Sequence, residues 1–134
     1  MGKIKNVGVT ASTPTLTFAL PSVPESARRA RHAIANEGLD ADLEHTVSLL
    51  VTEIVGNSIR HAGGGEIRVG ATLAPGYARV EVLDTGPGFD PDDGPKDGLG
   101  LRLVEKLATR WGVERGRGTL VWFEVDRRRR RFSR

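Results

Sequence analysis

The stretch Leu49-Leu50-Val51-Thr52-Glu53-Ile54-Val55-Gly56-Asn57-Ser58-Ile59-Arg60-His61 decides how this chain is read. Extended upstream, it sets Leu43, Val47, Leu50 and Ile54 at spacings of four, three and four, the mark of one buried helix face. A helix turns about 100° per residue, so with Ile54 at zero Asn57 falls about 60° to one side, Glu53 about 100° and Arg60 about 120° to the same side. These three polar residues therefore share a flank at the edge of the core stripe. There, polar groups can meet a ligand without being buried alone. An amide oxygen such as that of Asn57 is a hard ligand suited to Mg²⁺, which takes its other ligands from water and phosphate. A carboxylate one turn away, Glu53, can accept a proton from a water or hydroxyl. Taken alone, the same flank also reads as a solvated helix face.

Upstream, Thr13 to Leu20 alternates after Pro14, with Leu16, Phe18 and Leu20 on one side, which predicts a strand. Ser22-Val23-Pro24-Glu25 predicts a helix start, with Ser22 as cap, Pro24 in the first turn and Glu25 closing a capping box. That helix is expected to run to about Glu37 and to stop at Gly38, with Arg28, Arg29 and Arg31 on its exposed side. Asp40 can cap the second helix, which reaches about His61 and ends at Gly63-Gly64-Gly65. Two strands, about Glu66–Leu73 and Tyr77–Leu83, are joined by Ala74-Pro75-Gly76 as a hairpin.

Downstream, Asp84 to Asp97 reads as a polar loop. Gly98 is expected to open a third helix lasting to about Arg110, and strands near Trp111–Glu114 and Thr119–Asp126 close the chain around Arg115-Gly116-Arg117-Gly118. Helices separated by hairpins predict an α+β fold: a two-layer sandwich whose mixed, mostly antiparallel sheet is covered on one face by about three helices.

Two glycine-bearing segments lie in the second half. Asp84 ends an alternating strand and is followed by Gly86 and Gly88, which allow close approach of a ligand to the backbone. A carboxylate there can accept from the exocyclic amine of adenine, although Asp84-Thr85-Gly86-Pro87-Gly88 is equally good turn chemistry. Gly98-Leu99-Gly100-Leu101 precedes a helix, where free N–H groups and the dipole favour an anion. It is neither a P-loop nor a full dinucleotide fingerprint.

At 134 residues the chain is long enough for one domain with a real core. There are no cysteines, which removes disulfides and thiolate metal sites, and the three histidines form no metal-ligand spacing. No 18-residue apolar run and no apolar N-terminal stretch are present, so the expectation is a cytoplasmic protein with no membrane partner. The net charge of +3 is concentrated at one end: six arginines fall between Arg127 and Arg134, and without them 14 Lys+Arg face 17 Asp+Glu, a net of −3. Residues 1–11 read as an N-terminal arm, 12–126 as the folded body and 127–134 as a basic tail. A nucleic-acid role rests on that tail alone.

Glu53-x-x-x-Asn57, Asp84-x-Gly86-x-Gly88, Gly98-x-Gly100 and Gly118-Thr119 together resemble the N, G1, G2 and terminal G-T motifs of the GHKL ATP-binding fold. The compact size is similar to that of the bacterial anti-sigma-factor serine/threonine kinases. The resemblance implies ATP and Mg²⁺ as cofactors. It implies Glu53 as general base, Asn57 as the Mg²⁺ ligand and Arg60 beside the nucleotide. Asp84 would bind the adenine amine with Thr119 in support, and Gly86 and Gly88 would shape the base pocket. Gly98, Leu99, Gly100 and Leu101 would meet the phosphates through their amides. Lys96 would lie near the γ-phosphate, where relatives often place a basic residue. The implied partners are a sigma factor and an anti-sigma antagonist protein, with a homodimer as the implied assembly. The implied activity is phosphorylation of the antagonist; the alternative is a nonenzymatic module that uses ATP to switch partners.

Overall fold

The computed structural model describes residues 14–62, 64–84 and 101–128. In chain order the elements are β1 (Leu16–Pro21), α1 (Glu25–Ala35), α2 (Ala41–Ala62), β2 (Glu66–Ala74), β3 (Tyr77–Asp84), α3 (Arg102–Leu107), β4 (Arg110–Arg115) and β5 (Thr119–Asp126). The strands form one five-stranded sheet in the order β1-β2-β3-β5-β4. Every pairing is antiparallel, where the sequence predicts a mixed, mostly antiparallel sheet. The connections explain this. Two helices between β1 and β2 reverse the chain an odd number of times in all, so β2 returns against β1.

The core lies between the sheet and the helices. Leu43, Val47, Leu50, Val51, Ile54 and Val55 of α2 are almost wholly buried, so the expected stripe is the packing face. Opposite it stand cross-strand rows on one face of the sheet. Val69, Val82 and Val121 form one row, and Ala71, Val80 and Phe123 the next. Full burial of each such side chain stabilises the fold by about 1.5–3 kcal/mol before the entropy of ordering is subtracted.

Local chemistry sets the ends of the elements. Asp40 caps α2 as expected, its Oδ2 accepting from the Leu43 amide at 3.2 Å. Gly38 and Gly76 turn the chain with φ of 87° and 72°. The Ser22 capping box does not form. Pro24 holds the N-cap position with no side-chain hydrogen bond, and Ser26 Oγ instead donates to the Pro21 carbonyl at 2.6 Å. The third helix is shorter than expected. It begins at Arg102 and ends at Leu107, because Ala108 turns extended and the Thr109 amide pairs with the Glu124 carbonyl at 2.7 Å, drawing the chain onto β5.

The sheet's other face carries charge in place of a second helical layer. Arg79, 8% exposed, lies 4.4 Å over the Trp122 ring and reaches Glu81 at 2.9 Å and Glu124 at 3.4 Å. Arg110 pairs with Glu124 at 2.6 Å, and Arg128 with Asp126 at 2.8 Å. Arg127 and Arg128, read from the sequence as the start of a basic tail, dock on the body. The Arg127 amide donates to the Gly76 carbonyl at 2.7 Å, and its guanidinium holds Asp42 and Thr46 at the start of α2. No described helix is long and apolar enough to cross a membrane.

Candidate functional site

Among the described residues, six polar or charged side chains are buried: Ser26, Thr46, Asn57, Arg79, Asp84 and Thr119. The first two and Arg79 are accounted for by the hydrogen bonds and ion pairs above. The other three gather at one end of the sandwich. α2 ends at Ala62, β2 begins at Glu66, and Ile67 stands opposite Asp84, so the last turns of α2 and the end of β3 share that end. Thr119 opens β5 directly across from Asp84. The pair continues the buried rows Val82–Val121 and Val80–Phe123, with a carboxylate and a hydroxyl where the pattern calls for apolar residues. Asp84 is 2% exposed and Thr119 8%. A buried carboxyl group is costly unless hydrogen-bonded, so its place at the end of a core row is a departure from the apolar pattern.

Asn57, 5% exposed, sits on the α2 flank that its spacing predicts. Arg60, one turn on, donates through Nη2 to Asn57 Oδ1. A guanidinium has only donors, so the amide must turn its oxygen toward Arg60. Its Nδ2 is then buried with no partner among the described residues. Arg60 folds back along the helix over Gly56, whose missing side chain leaves room: a Cβ there would stand 3.5 Å from Arg60 Nη1. Glu53 is half-buried on the same flank. It opens into a surface hollow of about 280 Å³ together with Leu103 of α3. Leu103, in the first turn of α3, is thereby brought beside Glu53.

Among the described residues, Asp84 and Thr119 face each other at a strand end, Arg60 bonds to Asn57 on α2, and Glu53 lies one turn before Asn57 on the same helix flank. Gly86, Gly88, Lys96, Gly98, Leu99 and Gly100 lie outside the described residues. The described part of the third helix starts at Arg102, so Leu101 is its N-cap residue and not a helical one. No cluster of three or more His, Asp or Glu side chains suited to a metal occurs among the described residues. A divalent cation here would rely on the Asn57 oxygen, phosphate oxygens and water, which is how Mg²⁺ is commonly held. Sequence reasoning missed the Arg60–Asn57 bond. Its signal was the three-residue spacing, which makes side chains neighbours on a helix.

A buried carboxyl group at a strand end, a hydroxyl across from it, and an amide and a carboxyl group on the facing helix make up the candidate site of this α+β domain. The family model described as histidine kinase-like ATPase domain matches residues 17–125, and the chain belongs to that family. A curated relative, the nitrate/nitrite sensor protein NarQ of Escherichia coli (strain K12), is 32% identical over 90 residues, 62% of this chain. That match spans only 16% of the relative's length. Among solved structures, the Erythrobacter litoralis EL346 blue-light activated histidine kinase aligns with a TM-score of 0.49 and 23% identity, over 76% of this chain and 43% of that one. The fold is that of the GHKL-type ATP-binding domains, and ATP binding is the regulatory function it supports.

Proposed function

We propose that this chain binds ATP with Mg²⁺ and acts as a serine/threonine protein kinase of the anti-sigma-factor type, phosphorylating an antagonist protein and sequestering a sigma factor. The observation that carries the reading is the division of labour along one flank of α2. Asn57 is buried toward the end where Asp84 and Thr119 lie, while Glu53, one turn earlier, opens to a surface hollow that an acceptor side chain can enter. Asp84, backed by Thr119, accepts the adenine amine. Glu53 takes the proton of the acceptor hydroxyl as its oxygen attacks the γ-phosphorus. The bond from that phosphorus to the β–γ bridging oxygen breaks, and ADP leaves with the electron pair. Bound at the Asn57 oxygen, Mg²⁺ would offset negative charge on the phosphates. Lys96 and the amides from Gly98 to Leu101 are assigned to the phosphates by the resemblance of their motifs.

The test has two stages. Calorimetry with ATP and Mg²⁺ should show binding that is lost in Asp84→Ala. Radiolabelled ATP should then transfer label to a serine or threonine of a co-purified antagonist. Binding without any phosphoprotein favours the second reading, a nonenzymatic module that uses ATP to choose a partner. One observation supports that reading: the Asn57 oxygen that a cation needs is already held by Arg60.

A further inference from the structure

We infer that the free edge of β4 is an interface between two copies of this chain, which pair β4 against β4 about a twofold axis at Gly112 and so join their sheets. The inference does not depend on the kinase reading above. It concerns the edge of the sheet and needs no nucleotide.

β4 ends the sheet and is paired on one side only, by β5. Alternate residues of such a strand turn their N–H and C=O groups outward, where another strand can take them. The helical layer stops short of this edge: among the described elements, β5 alone packs broadly against β4. Trp111 and Val113 therefore carry the core rows of Phe123 and Val121 onto β4 but are only partly buried. On the opposite face, Arg110, Gly112 and Glu114 stand beside Glu124, Trp122 and Leu120. The other edge strand, β1, ends in Pro21, which has no N–H to give.

The sequence of β4 identifies the occupant. Opposed side chains of an antiparallel pair lie on the same face, so a twofold that keeps both faces of the joined sheet continuous must lie level with a residue. Centred on Gly112, it sets Arg110 of each copy against Glu114 of the other, Trp111 against Val113, and Gly112 against itself. Opposite charges meet, and apolar side chains meet, at every position. Centred on Trp111, the axis leaves Arg110 facing Gly112. Centred on Val113, it puts Trp111 against Arg115, and centred on Glu114 it puts two glutamates together. Charges on an edge ordinarily deter pairing. Only the Gly112 register turns these charges into an attraction. Glu114 is exposed and has no ion-pair partner among the described residues. Arg110 shares its guanidinium between Glu124 and Asp126, yet 48% of its side chain remains exposed. A pair of six-residue strands is a small interface, so the dimer is expected to be weak, with a Kd of roughly 10–100 µM.

The experiment is sedimentation velocity of the full chain from about 5 to 500 µM, a range that brackets that Kd. A monomer–dimer equilibrium should appear. Glu114→Arg should weaken it at least about tenfold, because two attractions become two repulsions. Its far-ultraviolet circular dichroism and urea midpoint should not change, since the side chain touches nothing in its own copy. The chain has no cysteine, so the register can be read directly. Arg110→Cys and Glu114→Cys, mixed under mild oxidation, should form a disulfide-linked heterodimer faster than either forms a homodimer, because opposed residues lie about 5 Å apart. Arg110→Cys still leaves Glu124 with Arg79 and Asp126 with Arg128, so the fold does not hang on it. A monomer at every concentration overturns the inference. So does a dimer that Glu114→Arg leaves intact, or one that cross-links equally fast through Glu114→Cys alone. A dimer lost in Thr17→Lys and kept in Glu114→Arg assigns the association to β1 and overturns it as well.

Discussion

Asp84 and Thr119 stand directly opposite one another on adjacent antiparallel strands, both buried, as the last row of the core-facing side of the sheet. Their positions are far apart in sequence, and the register alone joins them. Asp84→Ala should reduce ATP affinity at least tenfold, because a hydrogen bond to a charged group is worth about 1.5–3 kcal/mol. Thr119→Val keeps the shape and removes the hydroxyl, and should cost less. Calorimetric titration of both variants checks the order, and equal losses would place the hydroxyl in direct contact with the base.

Glu53 is separable from binding. Glu53→Gln should retain ATP affinity and lose phosphoryl transfer, since general-base catalysis typically supplies about 10²–10⁴-fold. Turnover measured with a saturating acceptor decides it, and an unchanged rate removes Glu53 from the chemistry.

Arg60 donates to the buried Asn57 oxygen, the atom assigned to the cation. Arg60→Ala strips that amide of its hydrogen bond and should destabilise the ligand-free protein by about 1–3 kcal/mol, read as a lower urea midpoint. Saturating Mg²⁺·ATP should narrow the difference, because the cation satisfies the same oxygen. A deficit that is the same with and without ligand would mean that Arg60 and the cation do not share it.

Gly112 is a matter of space. A Cβ there would stand 2.7 Å from Trp122 Nε1 and 2.9 Å from Cε2, so the indole must move off β4 and loosen its stacking with Arg79. Gly112→Ala should cost about 1–3 kcal/mol, as overpacking does, and shift Trp122 fluorescence in a Trp111→Phe background.

The Asp126 carboxyl is held well below the usual carboxylate range, chiefly by its hydrogen bond with Arg128. Burial opposes the shift, and the charges of Arg128 and Arg110 support it. A depressed folded-state pKa gives stability that is present above the unfolded value, near 3.9, and is lost as pH falls below it. Asp126→Asn should therefore lower stability at neutral pH and flatten its decline between about pH 4 and 2. Parallel urea titrations across that range check the sign.

The sequence was most legible where one short-range period decides the structure. The α2 stripe and the alternating apolar residues of Ile67–Ala71 and Ala78–Val82 become buried core, and of the β1 alternation Leu20 is buried with Leu16 and Phe18 packed partly buried against it. It was least legible where a distant partner decides. Thr109 leaves the helix because Glu124 offers it a carbonyl across the sheet. Ser22 lost its expected role as Pro24 took the N-cap position. The charged residues of β3 and β5 form a network only through the register, which sets Arg79 against Glu124 and over Trp122. Of the candidate site, the helix flank could be derived from angles alone. The Asp84–Thr119 pairing needed the fold.

That pairing has a topological consequence. β3 and β5 are neighbours, yet the chain travels from Asp84 through α3 and the edge strand β4 before it returns at Thr119. The excursion therefore contributes a strand of its own, since β4 pairs with β5 from Arg110 to Arg115. β5 is thereby clamped from both sides, by β3 and by β4, and Thr119 faces Asp84 on one flank and Arg115 on the other. The position of the residue assigned to support the nucleotide base is thus fixed by two neighbouring strands at once.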